Sequence, residues 1–125
     1  MKITVFTSNQ PRHLNLIDKL SEIADECYAV VETNTVFPGQ VSDFFQKSKI
    51  FHQYFSNVVE SEKKIFGNIR FSENVHNLII KSGDLNKIER SVLEPVLDSD
   101  IYVVFGASFI KGWLIEHLVK NNAIN

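Results

Sequence analysis

The chain has too little of several things to belong to several classes. Its single cysteine, Cys27, excludes an internal disulfide and points to a reducing compartment. Positive charge is not in surplus: 13 Lys and Arg against 15 Asp and Glu leave a net charge of −2. Proteins that coat nucleic acid need a basic excess, so no nucleic-acid partner is expected. Long apolar runs are missing too. The first, Ile3–Phe6, stops at Thr7-Ser8-Asn9-Gln10, too short for a signal-peptide core or a membrane span. The expectation is a cytoplasmic, soluble protein with no membrane partner.

Several motifs are also lacking. No G-x-G-x-x-G follows the first strand, and no G-x-x-x-x-G-K-[ST] occurs, which removes the dinucleotide fingerprint and the P-loop. Gly106-Ala107-Ser108-Phe109-Ile110 approaches a nucleophile elbow but carries Ile110 where the second glycine belongs, so a hydrolase serine is not expected. His13, His52, His76 and His117 are far apart, with none at the i, i+4 spacing of a zinc helix, so no metal site is expected.

What is present is ordinary for a globular domain: 44% hydrophobic and 22% charged residues. The 125 residues suffice for one domain with a real core. Ile3–Phe6 reads as a buried strand. A helix with Leu14, Ile17, Leu20, Ile23 and Ala24 inward follows, capped by Ser8 or Asn9 with Pro11 in its first turn. Tyr28–Val31 is a second strand, ended by Glu32-Thr33-Asn34. Phe37-Pro38-Gly39 marks a turn. From Val41 to Phe66, Phe44, Phe51, Phe55, Val58, Glu62 and Ile65 share one helical face, and Glu60–Lys64 reads as a solvated stretch with an ion pair between its ends. Seven of the ten phenylalanines fall between Phe37 and Phe71; core packing explains them better than a stacking box for a flat ligand.

Leu78–Ile80 is a third strand, followed by a short helix capped by Asp84 and stopped by Pro95. Ile101–Phe105 is the strongest strand. Gly112–Asn122 reads as a helix with Trp113, Leu114, Leu118 and Val119 inward, and Ala123-Ile124-Asn125 as the start of another strand. This alternation predicts an α/β fold with a doubly wound, mostly parallel, Rossmann-like sheet of order 3-2-1-4, the final stub lying beside strand four. Ending on that stub, the chain reads as the incomplete N-terminal part of a longer protein, with a small complete four- or five-stranded domain as the competing reading.

Two loops stand out. Ser8–Arg12 ends strand one and opens a helix N-terminus, where free N–H groups and the dipole favour an anion; Ser8, Asn9 and Arg12 are the candidate substrate contacts. Gly106–Lys111 ends the strongest strand. At the switch point of such a sheet both loops face one crevice, the usual ligand position. A plain capped loop and an ordinary turn glycine remain the competing readings.

Met1–Phe6, Val103–Lys111 and Ala123–Asn125 together resemble the N-terminal domain of the folate-dependent formyltransferases. In that family a small and an aliphatic residue lead into an Asn, with a catalytic His two positions beyond. The resemblance implies a formyl transfer from 10-formyltetrahydrofolate to a small-molecule amine. It makes Asn125 the catalytic carboxamide and sets Phe105, Gly106, Ala107, Ser108, Phe109 and Ile110 at the folate pocket. The first loop lacks the phosphate-binding glycines of the purine-pathway enzymes, and the phenylalanine-rich segment has no counterpart in the tRNA enzymes. An amino-sugar nucleotide or another, uncharacterised amine is therefore the favoured acceptor. The family's His and Asp lie beyond the Asn, so residues 1–125 alone are expected to be inactive, and either to self-associate through an open sheet edge or to be only marginally stable, with the last helix least protected. The rival reading is a non-catalytic α/β module that binds a nucleotide or phosphate in the same crevice.

Overall fold

A computed structural model describes residues 1–33, 49–67 and 69–125. The expected turn at Phe37-Pro38-Gly39 and the stretch 41–48 lie outside these residues, as do the side chains of 49–56, so the inward placement expected of Phe44, Phe51 and Phe55 is outside them as well.

Strand β1 (Lys2–Ser8) is followed by helix α1 (Pro11–Ile23), strand β2 (Glu26–Thr33) and helix α2 (Lys49–Phe66). Strand β3 (Val75–Lys81), a 3₁₀ turn (Asp84–Asn86), the short helix α3 (Arg90–Leu93) and a second 3₁₀ turn (Glu94–Val96) come next. Strand β4 (Ile101–Phe105) and helix α4 (Trp113–Lys120) complete the order. The four strands form one sheet in the order β3-β2-β1-β4, and every pairing is parallel. This is the doubly wound, Rossmann-like α/β arrangement that the strand–helix alternation calls for. Ile124 adds a single parallel bridge to Val103, so the stub does lie beside β4.

Parallel strands need crossovers, and here they bury the inner strands β1 and β2 on both faces, whereas edge strand β3 leaves His76, Asn77 and Ile79 exposed. Val5, Cys27, Ala29 and Val31 face α1 and pack with Ile17. Phe6, Val30 and Tyr102 face the other way, against Leu93, Leu114 and Leu118. Buried hydroxyls in β1 find acceptors: Thr4 donates to the Val96 carbonyl at 3.0 Å and Thr7 to the Phe105 carbonyl at 2.5 Å.

Element ends differ from the sequence reading in instructive ways. The side chains of Ser8 and Asn9 do not cap α1; Gln10 is its N-cap residue and Pro11 its first helical residue. The fully buried stripe of α1 is His13, Ile17 and Ser21, one i, i+4 row, whereas Ile23 is exposed. At the other end, Asn74 Nδ2 donates to the Ser21 and Ala24 carbonyls at 2.9 and 3.0 Å, meeting acceptors that a helix end leaves open. Strand β2 continues through Glu32 and Thr33, and β3 is longer than Leu78–Ile80, because backbone pairing with a neighbour extends a strand past its apolar residues. On α2, Glu62 is turned inward to Arg12 and Ile65 is exposed; the ion pair formed there is Arg12–Glu62 rather than Glu60–Lys64. Asp84 begins the 3₁₀ turn, after Gly83 in the left-handed region, instead of capping a helix.

The end of α4 positions the chain terminus. Asn122 takes a positive φ of 54°, its N–H bonds the Val119 carbonyl at 3.2 Å, and the Ala123 N–H bonds the Leu118 carbonyl at 3.0 Å. This is the Schellman arrangement. It reverses the chain, so Ile124 can donate to the Tyr102 carbonyl at 2.8 Å and accept from Val104 at 2.7 Å. Val119, expected inward, is exposed, because Leu114 and Leu118 already occupy the core row.

Cys27 is fully buried on the α1 face, and burial pushes its thiol up to about 11. At pH 8 the native thiol is expected to react with a disulfide reagent at least about 100-fold more slowly than in urea, because the thiolate is the nucleophile. Equal rates would show that the β1–β2 core opens freely.

Candidate functional site

The four parallel strands end on one edge of the sheet, and the crossover direction reverses between β1 and β4. Side chains on consecutive strand residues point to opposite faces, so this end carries two different environments.

On the α4 face is a pocket of about 390 Å³, within the about 300–1,000 Å³ span of small-molecule sites. Val104, Ile115 and Leu118 supply apolar walls, the loop after β4 forms a side, and Asn125 lies at its edge. Five sequence-derived candidates come together here: Ala107, Ser108, Phe109, Ile110 and Asn125. Ile110 is buried, while Phe109 is 85% exposed.

Phe105 and Gly106 do not join them, because they belong to the α1 face. The Phe105 ring meets His13 edge-on at 5.1 Å between centroids. Gly106 has φ 72°, and a Cβ built on it would sit 2.3 Å from His13 Nε2. Glycine is required there twice over, by backbone conformation and by the imidazole against it. Ser8 donates from Oγ to the Gly106 carbonyl, tying the ends of β1 and β4. Arg12 is engaged by Glu62 of α2, which is only 12% exposed, so its charge is partly neutralised. Asn9 is half-buried, and its Oδ1 has no hydrogen-bond partner among the described residues. The first loop and the second therefore lie on either side of the β1–β4 seam.

The sequence reading missed three polar groups that shape this end. His13 is 3% exposed, and its Nδ1 has no partner among the described residues. Burial, aided by the Arg12 charge and opposed by Glu62, lowers its pKa from 6.5 to about 4, so the ring is neutral at pH 7. Its position four residues before Ile17 is the signal that could have placed it in the core row. Glu32 is 2% exposed at the end of β2. Its Oε1 accepts from the Ser108 N–H at 2.6 Å, and its Oε2 accepts from the Ser108 hydroxyl at 2.6 Å and the Gly83 N–H at 2.8 Å. An acidic residue directly after a buried apolar run was its only sequence signal. Asn86 donates to the Phe109 carbonyl at 2.5 Å and accepts from the Lys111 N–H at 2.9 Å.

The Ser108 hydroxyl is thus committed to a carboxylate, and among the described residues no histidine bonds to it. Among the described residues, no group of three or more His, Cys, Asp or Glu could hold a metal ion, and no helix is long and apolar enough to cross a membrane. A scan against protein-family models and searches of curated proteins and of solved structures returned no match.

Two outcomes follow from the β1–β4 seam. Gly106→Ala should cost about 3 kcal/mol or more in urea unfolding, since left-handed strain and a clash with a buried ring add; a variant as stable as the parent would contradict the close approach. Because the folded pKa of His13 lies below 6.5, its contribution is complete above pH 6.5 and lost as pH falls towards 4. Stability should drop by something on the order of 3 kcal/mol at most over that window. His13→Phe should flatten that part of a pH-dependent unfolding series.

Proposed function

We propose that this chain is the N-terminal, folate-binding portion of a formyltransferase that passes a formyl group from 10-formyltetrahydrofolate to a small-molecule amine, an amino-sugar nucleotide being the favoured acceptor. The observation that carries this reading is one pocket that gathers Ala107–Ile110 and Asn125, segments that the resemblance assigns to the folate site and to the catalytic carboxamide. Its size and its apolar walls of Val104, Ile110 and Leu118 fit a flat heteroaromatic ring, and the exposed Phe109 could stack on it.

Bound there, 10-formyltetrahydrofolate would supply the formyl carbon that the amine attacks. The Asn125 carboxamide, at the pocket edge, would donate a hydrogen bond to the formyl oxygen as negative charge develops on it. A neutral amide suits that task, because it is a donor at any physiological pH and needs no proton transfer. Proton removal from the amine calls for a base. Among the described residues the pocket lining offers none: the resemblance puts that His and its Asp after the Asn, and the carboxylate of Glu32 is already occupied by three donors. Residues 1–125 would therefore bind the donor without turning it over.

Titration calorimetry with the stable analogue 5-formyltetrahydrofolate tests this. Saturable binding is expected, weakened at least about tenfold by Ala107→Trp, which fills the pocket. Incubation with 10-formyltetrahydrofolate and amino sugars should give no product above background. A chain that ignores folates but binds a nucleotide or inorganic phosphate would favour the non-catalytic module instead.

A further inference from the structure

Glu32 is the most unusual residue in the sheet. It follows Val30 and Val31 on a strand buried on both faces, where an apolar side chain is the norm. Taking a carboxylate out of water is costly unless hydrogen bonds replace the solvent. Here three donors do so, and all three belong to loops at the carboxyl ends of other strands: Gly83 after β3, and Ser108, through both N–H and hydroxyl, after β4.

The reach matters. Ser8 of β1 pairs with Glu32 of β2, and β4 lies on the far side of β1. Adjacent strands are about 4.8 Å apart, so Glu32 joins β2 to the loop of a strand two spacings away, across the end of the central strand. It can do this because the loop after β4 curls back over β1 on the α4 face. The same loop is held a second time by Asn86, which bridges the Phe109 carbonyl and the Lys111 N–H from the 3₁₀ turn that directly follows Gly83. Ser108 and Phe109 both line the pocket. The carboxylate itself faces three donors and has no free role as base or ligand.

We infer that Glu32 is a positioning residue for the pocket: by gripping Ser108 while anchored on Gly83, it fixes the 107–110 wall in the shape a ligand meets. The inference rests on the pocket being the folate site proposed above, but part of its test does not. A site preorganised by buried hydrogen bonds binds without first ordering its own loop.

Glu32→Gln keeps the shape but replaces one acceptor oxygen by an NH₂ group, which leaves a backbone N–H facing a donor. The expected result is amide exchange at 107–110 faster by about tenfold or more, with β1 exchange unchanged. The downfield amide proton signals of Ser108 and Gly83, the signature of N–H groups bonded to a carboxylate, should move upfield. Affinity for 5-formyltetrahydrofolate should fall about tenfold or more. Ser108→Ala keeps the N–H bond and should give a smaller loss, one that shrinks further in the Glu32→Gln background because the two act through one contact. Parental exchange and affinity in Glu32→Gln would overturn the inference. So would exchange that rises equally in β1, since that is loss of global stability alone. A parent chain that binds no folate, with exchange in Glu32→Gln still confined to the loop, would sink the ligand assignment and leave the positioning of the wall standing.

Discussion

β1 has a parallel partner on each edge, β2 on one side and β4 on the other, and both of its faces are covered. Parallel neighbours cannot be joined by tight turns, so each must be reached by a crossover that packs a helix on the sheet. Going from β1 to β2 places α1 on one face; returning to the far side of β1 through α3 and β4 leaves α4 on the other. The cleft at the carboxyl ends exists because the chain leaves the central strand in two directions.

That seam separates two kinds of polar chemistry. On the α1 face, neutral His13 lies against Gly106 and Phe105, and Arg12 is taken up by Glu62. These contacts are tight and serve to close β1 against β4. On the α4 face, the loop after β4 forms one side of a pocket, its backbone held by Glu32 and Asn86. An apolar side chain in place of Glu32 could fill space, but it could not hold the N–H and hydroxyl of Ser108 together with the Gly83 N–H. A carboxylate, which only accepts, can hold all three at once.

The last turn of α4 is the other determinant. Its Schellman end depends on Asn122 accepting a left-handed conformation, which Asn tolerates better than most residues. The reversal brings Ile124 onto the edge of β4 and Asn125 to the pocket. A helix capped in extended form would send those residues elsewhere.

Much of this was legible in the residues alone. Ile3–Phe6, Tyr28–Val31, Leu78–Ile80 and Ile101–Phe105 are apolar runs separated by helical periodicity, and that pattern predicts a mostly parallel sheet of order 3-2-1-4 with a stub beside β4, which the structure shows to be parallel throughout. Strand period also fixes that Val104 and Phe105 point to opposite faces. What sequence could not decide is which polar group meets which. Arg12 and Glu62 are 50 positions apart, Glu32 and Ser108 are 76 apart, and neither pair has any local signature. The spacing of His13 to Ile17 places it on the inward row of α1, but only docking the helix brings it against Gly106 and Phe105. Local propensity and periodicity act within a few residues, so they write the elements into the chain. Buried hydrogen bonds are satisfied across the sheet, and only the packed tertiary structure, by removing water, selects their partners.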